Sequence, residues 1–174
     1  MSSQIKESGQ SLIEVLVVLA VAIIIMVALV IVILTGLKNS QLAQSQIKAT
    51  KYAQDALEQI AVMRDRNSII KIAGVSPDPQ FSTLFGSKLS DPPCTTVNIK
   101  VLCYFVLDTT KTPPLQQTAD PLQFNRDLKD GGLSRQIFFE DGLDDNEKKV
   151  TVKVMWADTS GVHESNLQTY LTKR

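Results

Sequence analysis

Few side chains in this sequence of 174 residues have the types and spacing that covalent or metal chemistry needs. His163 is the single histidine, and neither a G-x-S-x-G nor an H-E-x-x-H pattern occurs. Such patterns pair a nucleophile with a base, or place two metal ligands on one helix face. Two thiols and one distant histidine are also too few for a structural zinc site. We therefore predict a protein that is not an enzyme and needs no cofactor.

The two cysteines, Cys94 and Cys103, lie in the middle of the chain. If this region lies in an oxidising compartment, pairing is the default and a disulfide is predicted. The alternative is that Cys103 is a buried thiol on a core strand. Both interpretations stay open on the sequence.

Acidic and amide side chains crowd a short segment near the C-terminus: Asp141, Asp144, Asp145, Asn146 and Glu147. Ca²⁺ prefers oxygen ligands of this kind, but the spacing is not that of an EF-hand loop. A solvated acidic turn is therefore the favoured interpretation, with a calcium site as the weaker alternative and no metal predicted.

Length and charge limit the function further. The chain can bury one sizeable core, so one domain with an appendage is the upper limit. Its 18 basic residues balance 18 acidic ones. That balance lacks the positive surface that nucleic-acid phosphates require, so no nucleic-acid partner is expected.

The element that dominates the chain is a run of twenty consecutive apolar residues at 15–34. As a helix it is roughly 30 Å long, the thickness of the hydrocarbon core of a bilayer, so a transmembrane helix is predicted. A cleaved secretory signal ending near Ala22 is the alternative. That alternative is disfavoured because its apolar region contains Glu14 and the run continues for twelve residues past Ala22.

Glu14 stands directly before this run and after Leu12 and Ile13. A carboxylate at the centre of a bilayer costs about 2.5–3.5 kcal/mol on insertion scales and less near the edge. Glu14 therefore either has a partner in the membrane or reaches the interface and does nothing. The residues alone leave both possibilities open.

The string S-G-Q-S-L-I-E at residues 8–14, followed by the apolar run, resembles the N-terminal signal of type IV pilins and of the pseudopilins of type II secretion. Their usual motif is G-F-T-L-I-E before a long apolar helix. Gly9 matches the residue before the cut, and Glu14 matches the conserved glutamate of that motif. Gln10 departs from the motif, since it replaces the customary Phe.

The resemblance implies a leader at residues 1–9, which a prepilin peptidase removes between Gly9 and Gln10 before Gln10 is N-methylated. It implies a single-pass membrane protein with a cytoplasmic N-terminus and an extracytoplasmic C-terminal domain. After assembly the chain would lie in a surface filament. Its partners would be other pilin subunits and an inner-membrane assembly platform, and Glu14 would pair with the terminal ammonium of a neighbouring subunit.

Residues 37–67 contain no Gly or Pro and predict an amphipathic helix. Its stripe is mostly of small side chains: Leu42, Ala49, Ala53, Ala56, Ile60 and Met63. A continuous helix over residues 10–67 would be about 87 Å long. We divide the chain into the leader 1–9, a transmembrane helix at 10–36, its amphipathic continuation at 37–72 and a head domain at 73–174.

The head domain contains four strand patterns, at residues 97–107, 136–140, 150–156 and 164–172, the last two forming a hairpin. Residues 109–134 are either a surface loop or hide a short strand at 122–124. The predicted fold is α+β and pilin-like, a long N-terminal helix packed on a small antiparallel β-sheet. The predicted function is a minor pilin or pseudopilin, and the alternative is a single-pass membrane-anchored extracytoplasmic binding module.

Overall fold

A computed structural model describes residues 8–86, 94–97, 100–118 and 132–173 of the chain. The chain divides into two compact units, one ending at Gln44 and the other beginning at Ser45. A 58-residue helix, α1 (Ser8–Asp65), contributes residues to both units. The two units are described separately below.

The first unit is the apolar part of α1. Every large apolar side chain between Leu12 and Leu37 is at least half exposed. Thr35 donates its hydroxyl to the carbonyl oxygens of Ile31 and Val32, both at 2.9 Å, so this polar group is satisfied inside the helix. Among the described residues α1 is the one helix long and apolar enough to cross a membrane, as in a single-pass membrane protein.

In the second unit α1 packs on a β-sheet through one narrow stripe. The side chains of Ala49, Ala53, Ala56 and Ile60 are fully buried, as the sequence pattern predicts. Small side chains at helical spacing let the helix backbone approach the sheet closely. Polar contacts add to this packing, because a guanidinium nitrogen of Arg135 donates to the carbonyl oxygen of Tyr52 at 3.2 Å.

The helix ends at Asp65, earlier than the predicted limit of residue 72. Asn67 has a φ of 48° and donates its N–H to the carbonyl of Arg64, while Ser68 donates to the carbonyl of Met63. These two bonds and the left-handed residue form a Schellman motif, with asparagine in the position that glycine usually occupies. The amphipathic pattern, which predicts a helix over residues 37–67, ends within two residues of this stop.

The sheet has six strands in the described part of the chain: β1 (Thr95–Val97), β2 (Lys100–Leu107), β3 (Leu115–Thr118), β4 (Ser134–Asp141), β5 (Glu147–Asp158) and β6 (Gly161–Thr172). All pairs are antiparallel. The strand order is β1-β2-β4-β5-β6, and β3 pairs with β2 beyond the residues that pair with β1. The layout is α+β and pilin-like, as predicted.

Aromatic rings fill the core beside the helix stripe. Phe105 on β2 and Phe139 on β4 meet edge to face at 4.9 Å between ring centroids. Phe81, in a short 3₁₀ turn at Phe81–Leu84, packs against Phe139 at 6.2 Å. Such edge-to-face pairs add to the burial energy of the rings.

The strands differ from the predicted ones in number and bounds. Val97 belongs to β1 and not to the long strand that follows it. β3 was not predicted, because its sequence L-Q-Q-T has no apolar alternation and follows two prolines. It pairs with β2 over four positions, and Lys71 lies against its other edge and exchanges hydrogen bonds with Leu115 and Gln117. The possible strand at 122–124 lies outside the described residues.

Candidate functional site

The predicted processing site lies at the start of α1. Gly9 and Gln10 lie in α1 beside its first described residue, and residues 1–7 of the predicted leader lie outside the described residues. The predicted cut between Gly9 and Gln10 stays a prediction.

Glu14 is exposed and lies at one end of a shallow groove of about 560 Å³ on α1. The groove follows one helix face, at intervals of three and four residues, and its other lining residues are all apolar: Val15, Val18, Leu19, Ala22, Ile23 and Met26. No cation lies within ion-pairing distance of Glu14 in the described part of the chain. The face therefore combines a continuous apolar surface with one unpaired carboxylate.

The apolar surface and the Glu14 carboxylate together determine which kind of partner binds this face. An unpaired carboxylate in a low-dielectric environment is costly, and the cost falls when a cation lies beside it. A second apolar helix that carries a positive group at the level of Glu14 would cover the groove and neutralise the carboxylate. The geometry thus fits a helix-to-helix contact in a membrane.

Cys94 and Cys103 form a disulfide, with their Cα atoms 4.4 Å apart. The pair continues the ladder of β1 and β2, one position beyond the pairing of Thr95 with Leu102. Both cysteines are buried. The predicted disulfide is confirmed. The alternative of a buried Cys103 thiol is wrong, although Cys103 is buried on β2.

The acidic segment forms the turn between β4 and β5. Asp141 pairs with Nζ of Lys148 at 2.6 Å, and Glu147 accepts the N–H of Leu143 through Oε2 at 3.2 Å. Within the described residues no group of three or more His, Cys, Asp or Glu side chains is placed to hold a metal ion. The candidate calcium ligands are therefore neighbours in sequence that the turn does not gather around one point.

His163 lies in the hairpin of β5 and β6. Its Nε2 atom is 3.0 Å from Oδ1 of Asp158, and its ring stacks on Trp156 at 5.5 Å. The contact with His163 holds the pKa of the Asp158 carboxyl below its usual value, and hydrogen bonds from the N–H groups of Ser160 and Gly161 add to this. These contacts hold the hairpin turn together.

Two surface features of the second unit were not predicted. The first is a groove of about 660 Å³ between α1 and the connection of β2 to β3, lined by Val62, Met63, Ile69, Pro113 and Pro114 among others. The second is Leu143, whose side chain is 97% exposed at the tip of the acidic turn. Each feature has a weak indication in the sequence. Val62 is an apolar residue of α1 outside the buried stripe, and Leu143 is the one apolar residue of an acidic turn.

Comparison with known proteins adds no assignment, since no family model, no curated protein and no solved structure matches this chain. The resemblance of residues 8–14 to the pilin signal stays a prediction. The function is therefore argued from the two units themselves.

Proposed function

We propose that this chain is a prepilin-like structural subunit, a minor pilin or pseudopilin, of a type IV pilus or type II secretion filament. The proposal rests on one observation, the face of α1 that has Glu14 at its N-terminal end. It is an exposed apolar surface of α1 with one carboxylate that makes no ion pair within the described residues, and the later part of the same helix packs on a sheet. A tether needs only the apolar surface, whereas a subunit in a helical bundle needs a surface that other helices recognise.

In the proposed sequence of events, a prepilin peptidase removes residues 1–9 on the cytoplasmic side and Gln10 is N-methylated. The new ammonium group then pairs with Glu14 of a neighbouring subunit when the assembly platform moves the helix from the membrane into the filament. Because an unpaired carboxylate is penalised in an apolar bundle, the pair fixes the axial position of each subunit.

The disulfide supports the proposed topology. Disulfides persist in oxidising compartments, so the pair formed by Cys94 and Cys103 favours an extracytoplasmic second unit. With that unit outside the membrane and one span in α1, the N-terminus is cytoplasmic.

The groove of the second unit is the observation that favours the alternative, a membrane-anchored binding module. A module of that kind uses α1 only as an anchor, so the identity of residue 14 and the helix face that bears it are unimportant. The two proposals therefore differ in whether α1 contacts the α1 helices of other copies through one specific face.

Cysteine cross-linking in membranes tests the proposed helix contact. Ala22 lines the groove headed by Glu14, whereas Ala20 lies on another face of the same exposed helix and is the matched control. We expect Ala22→Cys chains, co-expressed with the peptidase, to form cross-linked dimers at a yield several-fold above that of Ala20→Cys. Adding Glu14→Gln should abolish the difference, and adding Glu14→Asp should preserve most of it. Equal yields from Ala22→Cys and Ala20→Cys would favour the anchored module.

A further inference from the structure

The groove between α1 and the β2–β3 connection leaves apolar side chains open to solvent. Val62 is 46% exposed and Ile69 is 54% exposed, and Pro113 and Pro114 form the opposite wall. Exposed apolar surface in a concave site is typical of a place where another chain docks. We call this site the Val62 groove.

Charges are arranged along the Val62 groove. Asp55, Glu58, Val62 and Arg66 follow one another on α1 at intervals of three and four residues, which places them along one helix face. The two acids thus lie towards one end of the groove and Arg66 towards the other. Within the described residues none of the three charged side chains has an ion-pairing partner.

The turn at residues 142–146 has the complementary features. Leu143 is 97% exposed, and Asp144 and Asp145 follow it with exposed carboxylates that make no ion pair in the described part of the chain. Lys173 lies beside the turn, because its N–H donates to the carbonyl of Asn146 at 2.8 Å. We call this surface the Leu143 knob.

Hydrogen bonds hold the Leu143 knob in one conformation. Gly142 donates to the carbonyl of Glu147 at 3.0 Å, and Glu147 donates to that of Asp144 at 2.9 Å. Gly86 donates to the carbonyl of Asp145 at 3.0 Å, and Leu143 donates to the carboxylate of Glu147. An apolar side chain presented on an ordered turn loses little conformational entropy when it docks.

We propose that the Leu143 knob of one copy of this chain docks in the Val62 groove of a second copy. The apolar tip meets an apolar groove, the carboxylates of Asp144 and Asp145 meet Arg66, and Lys173 meets Asp55 and Glu58. The Leu143 knob and the Val62 groove share no residue, so the contact is heterologous. A copy whose knob is bound still has a free groove for the next copy, and the contact can repeat along a row of copies. This inference rests on the proposed function in the form in which several copies of the chain are neighbours in the assembly, since a subunit present once in a filament has no second copy to contact.

Cross-linking of full-length chains in membranes tests the contact. One tagged chain carries Leu143→Cys and a second, with a different tag, carries Val62→Cys, and a short bismaleimide joins the thiols. The matched control replaces Leu143→Cys by Val162→Cys, another exposed apolar residue at a hairpin turn, 72% exposed. We expect the 143–62 product to exceed the 162–62 product by about tenfold, since docking raises the effective concentration of the two thiols.

Charge exchange supplies a second measurement on the same product. Arg66→Glu should lower the 143–62 yield by up to about fivefold, the upper end of the range for an exposed ion pair. Asp144→Lys with Asp145→Lys in the other chain should restore it. The side chains of both aspartates are free of the bonds that shape the turn, so the exchange leaves the knob intact.

Each outcome separates this inference from the proposed function. If the 143–62 yield equals the control while the Ala22→Cys dimers persist, the docking contact is wrong and the filament subunit stands. If Leu143→Cys links instead to a different protein, the second copy is not the occupant and the inference is overturned. If both cross-links disappear, the proposed function falls with it.

Discussion

Lys148 is the most deeply buried charged side chain among the described residues, with no exposed surface. Its Nζ atom lies 2.6 Å from Oδ1 of Asp141, whose own side chain is partly exposed. A buried ammonium group loses its hydration, and the nearby carboxylate offsets part of that cost. The pair joins the facing positions at the ends of β4 and β5, next to the Leu143 knob.

This geometry predicts an asymmetry between two variants. Asp141→Ala leaves a buried cation without its carboxylate and should lower the free energy of unfolding by about 2–3 kcal/mol, less than for a fully buried pair because Asp141 is partly solvated. Lys148→Met keeps the buried volume and leaves Asp141 in contact with water, so it should cost less. Urea unfolding of the full chain in detergent, followed by the fluorescence of Trp156, measures both. A larger loss for Lys148→Met would contradict the role given to the pair.

Acid should weaken the hairpin of β5 and β6 through two carboxyls. The contact of His163 with Asp158 holds the pKa of the Asp158 carboxyl below its ordinary value of 3.8, and the ion pair with Lys153 holds that of the Glu164 carboxyl below 4.5. A lowered pKa in the folded state gives stability that is full above the ordinary value and is lost as the pH falls through the folded value.

We therefore expect the hairpin to keep its stability at neutral pH and to lose part of it in acid below those ordinary values. Trp156 stacks on His163, so its fluorescence during urea titrations at several pH values reports the change. The control is Asp158→Asn with Glu164→Gln, which should show a smaller loss in the same range. An equal loss in the control would assign the acid sensitivity to other groups.

At the scale of elements, the end of α1 depends on Asn67. Its left-handed backbone is unfavourable for most residues, and its side chain donates to Gln80 at 2.9 Å and accepts the N–H of Ser82 at 2.8 Å. The same residue thus stops the helix and anchors the segment that leads to the 3₁₀ turn.

Two substitutions of Asn67 separate these roles. Asn67→Gly and Asn67→Ala both remove the side-chain hydrogen bonds, but only alanine is strained at a φ of 48°. We expect Asn67→Ala to be less stable than Asn67→Gly by about 1 kcal/mol, measured by urea unfolding of the full chain. Equal stability of the two variants would show that the left-handed conformation is not what the helix end requires.

Elements with a long periodic pattern were predictable, and elements that depend on distant contacts were not. The alanine stripe of α1 and the strands around Val152 and Ile137 follow directly from spacing. β3 has no apolar alternation of its own and depends on its pairing with β2 and with Lys71, so its local sequence does not predict it. The end of α1 was predicted within two residues, but the two hydrogen bonds that form it were not.

The same distinction applies to the candidate sites. Gly9, Gln10 and Glu14 were identified from the sequence because the pilin signal is local, and their roles stay predictions. The disulfide was predicted from the pair of cysteines and is confirmed. The Val62 groove joins residues about fifty positions apart, so only the folded chain reveals it.

At the scale of the whole molecule, the chain combines two units with different surfaces. The first exposes an apolar helix that suits a membrane or a helical bundle, with Glu14 on one face. The second is a disulfide-linked α+β unit with an apolar groove and an apolar knob. The proposed assembly and the proposed contact between neighbouring heads would each use one of these surfaces.

Intact mass and N-terminal peptide mapping of the full chain, purified from membranes after co-expression with a prepilin peptidase, test the filament-subunit proposal most directly. We expect the mature chain to begin at a methylated Gln10. Gly9→Val should block cleavage, and Gly36→Val is the matched control, because a side chain there meets only open space and cleavage should proceed. A chain that keeps residues 1–9 with Gly9 intact would contradict the proposal and leave the anchored binding module as the better explanation.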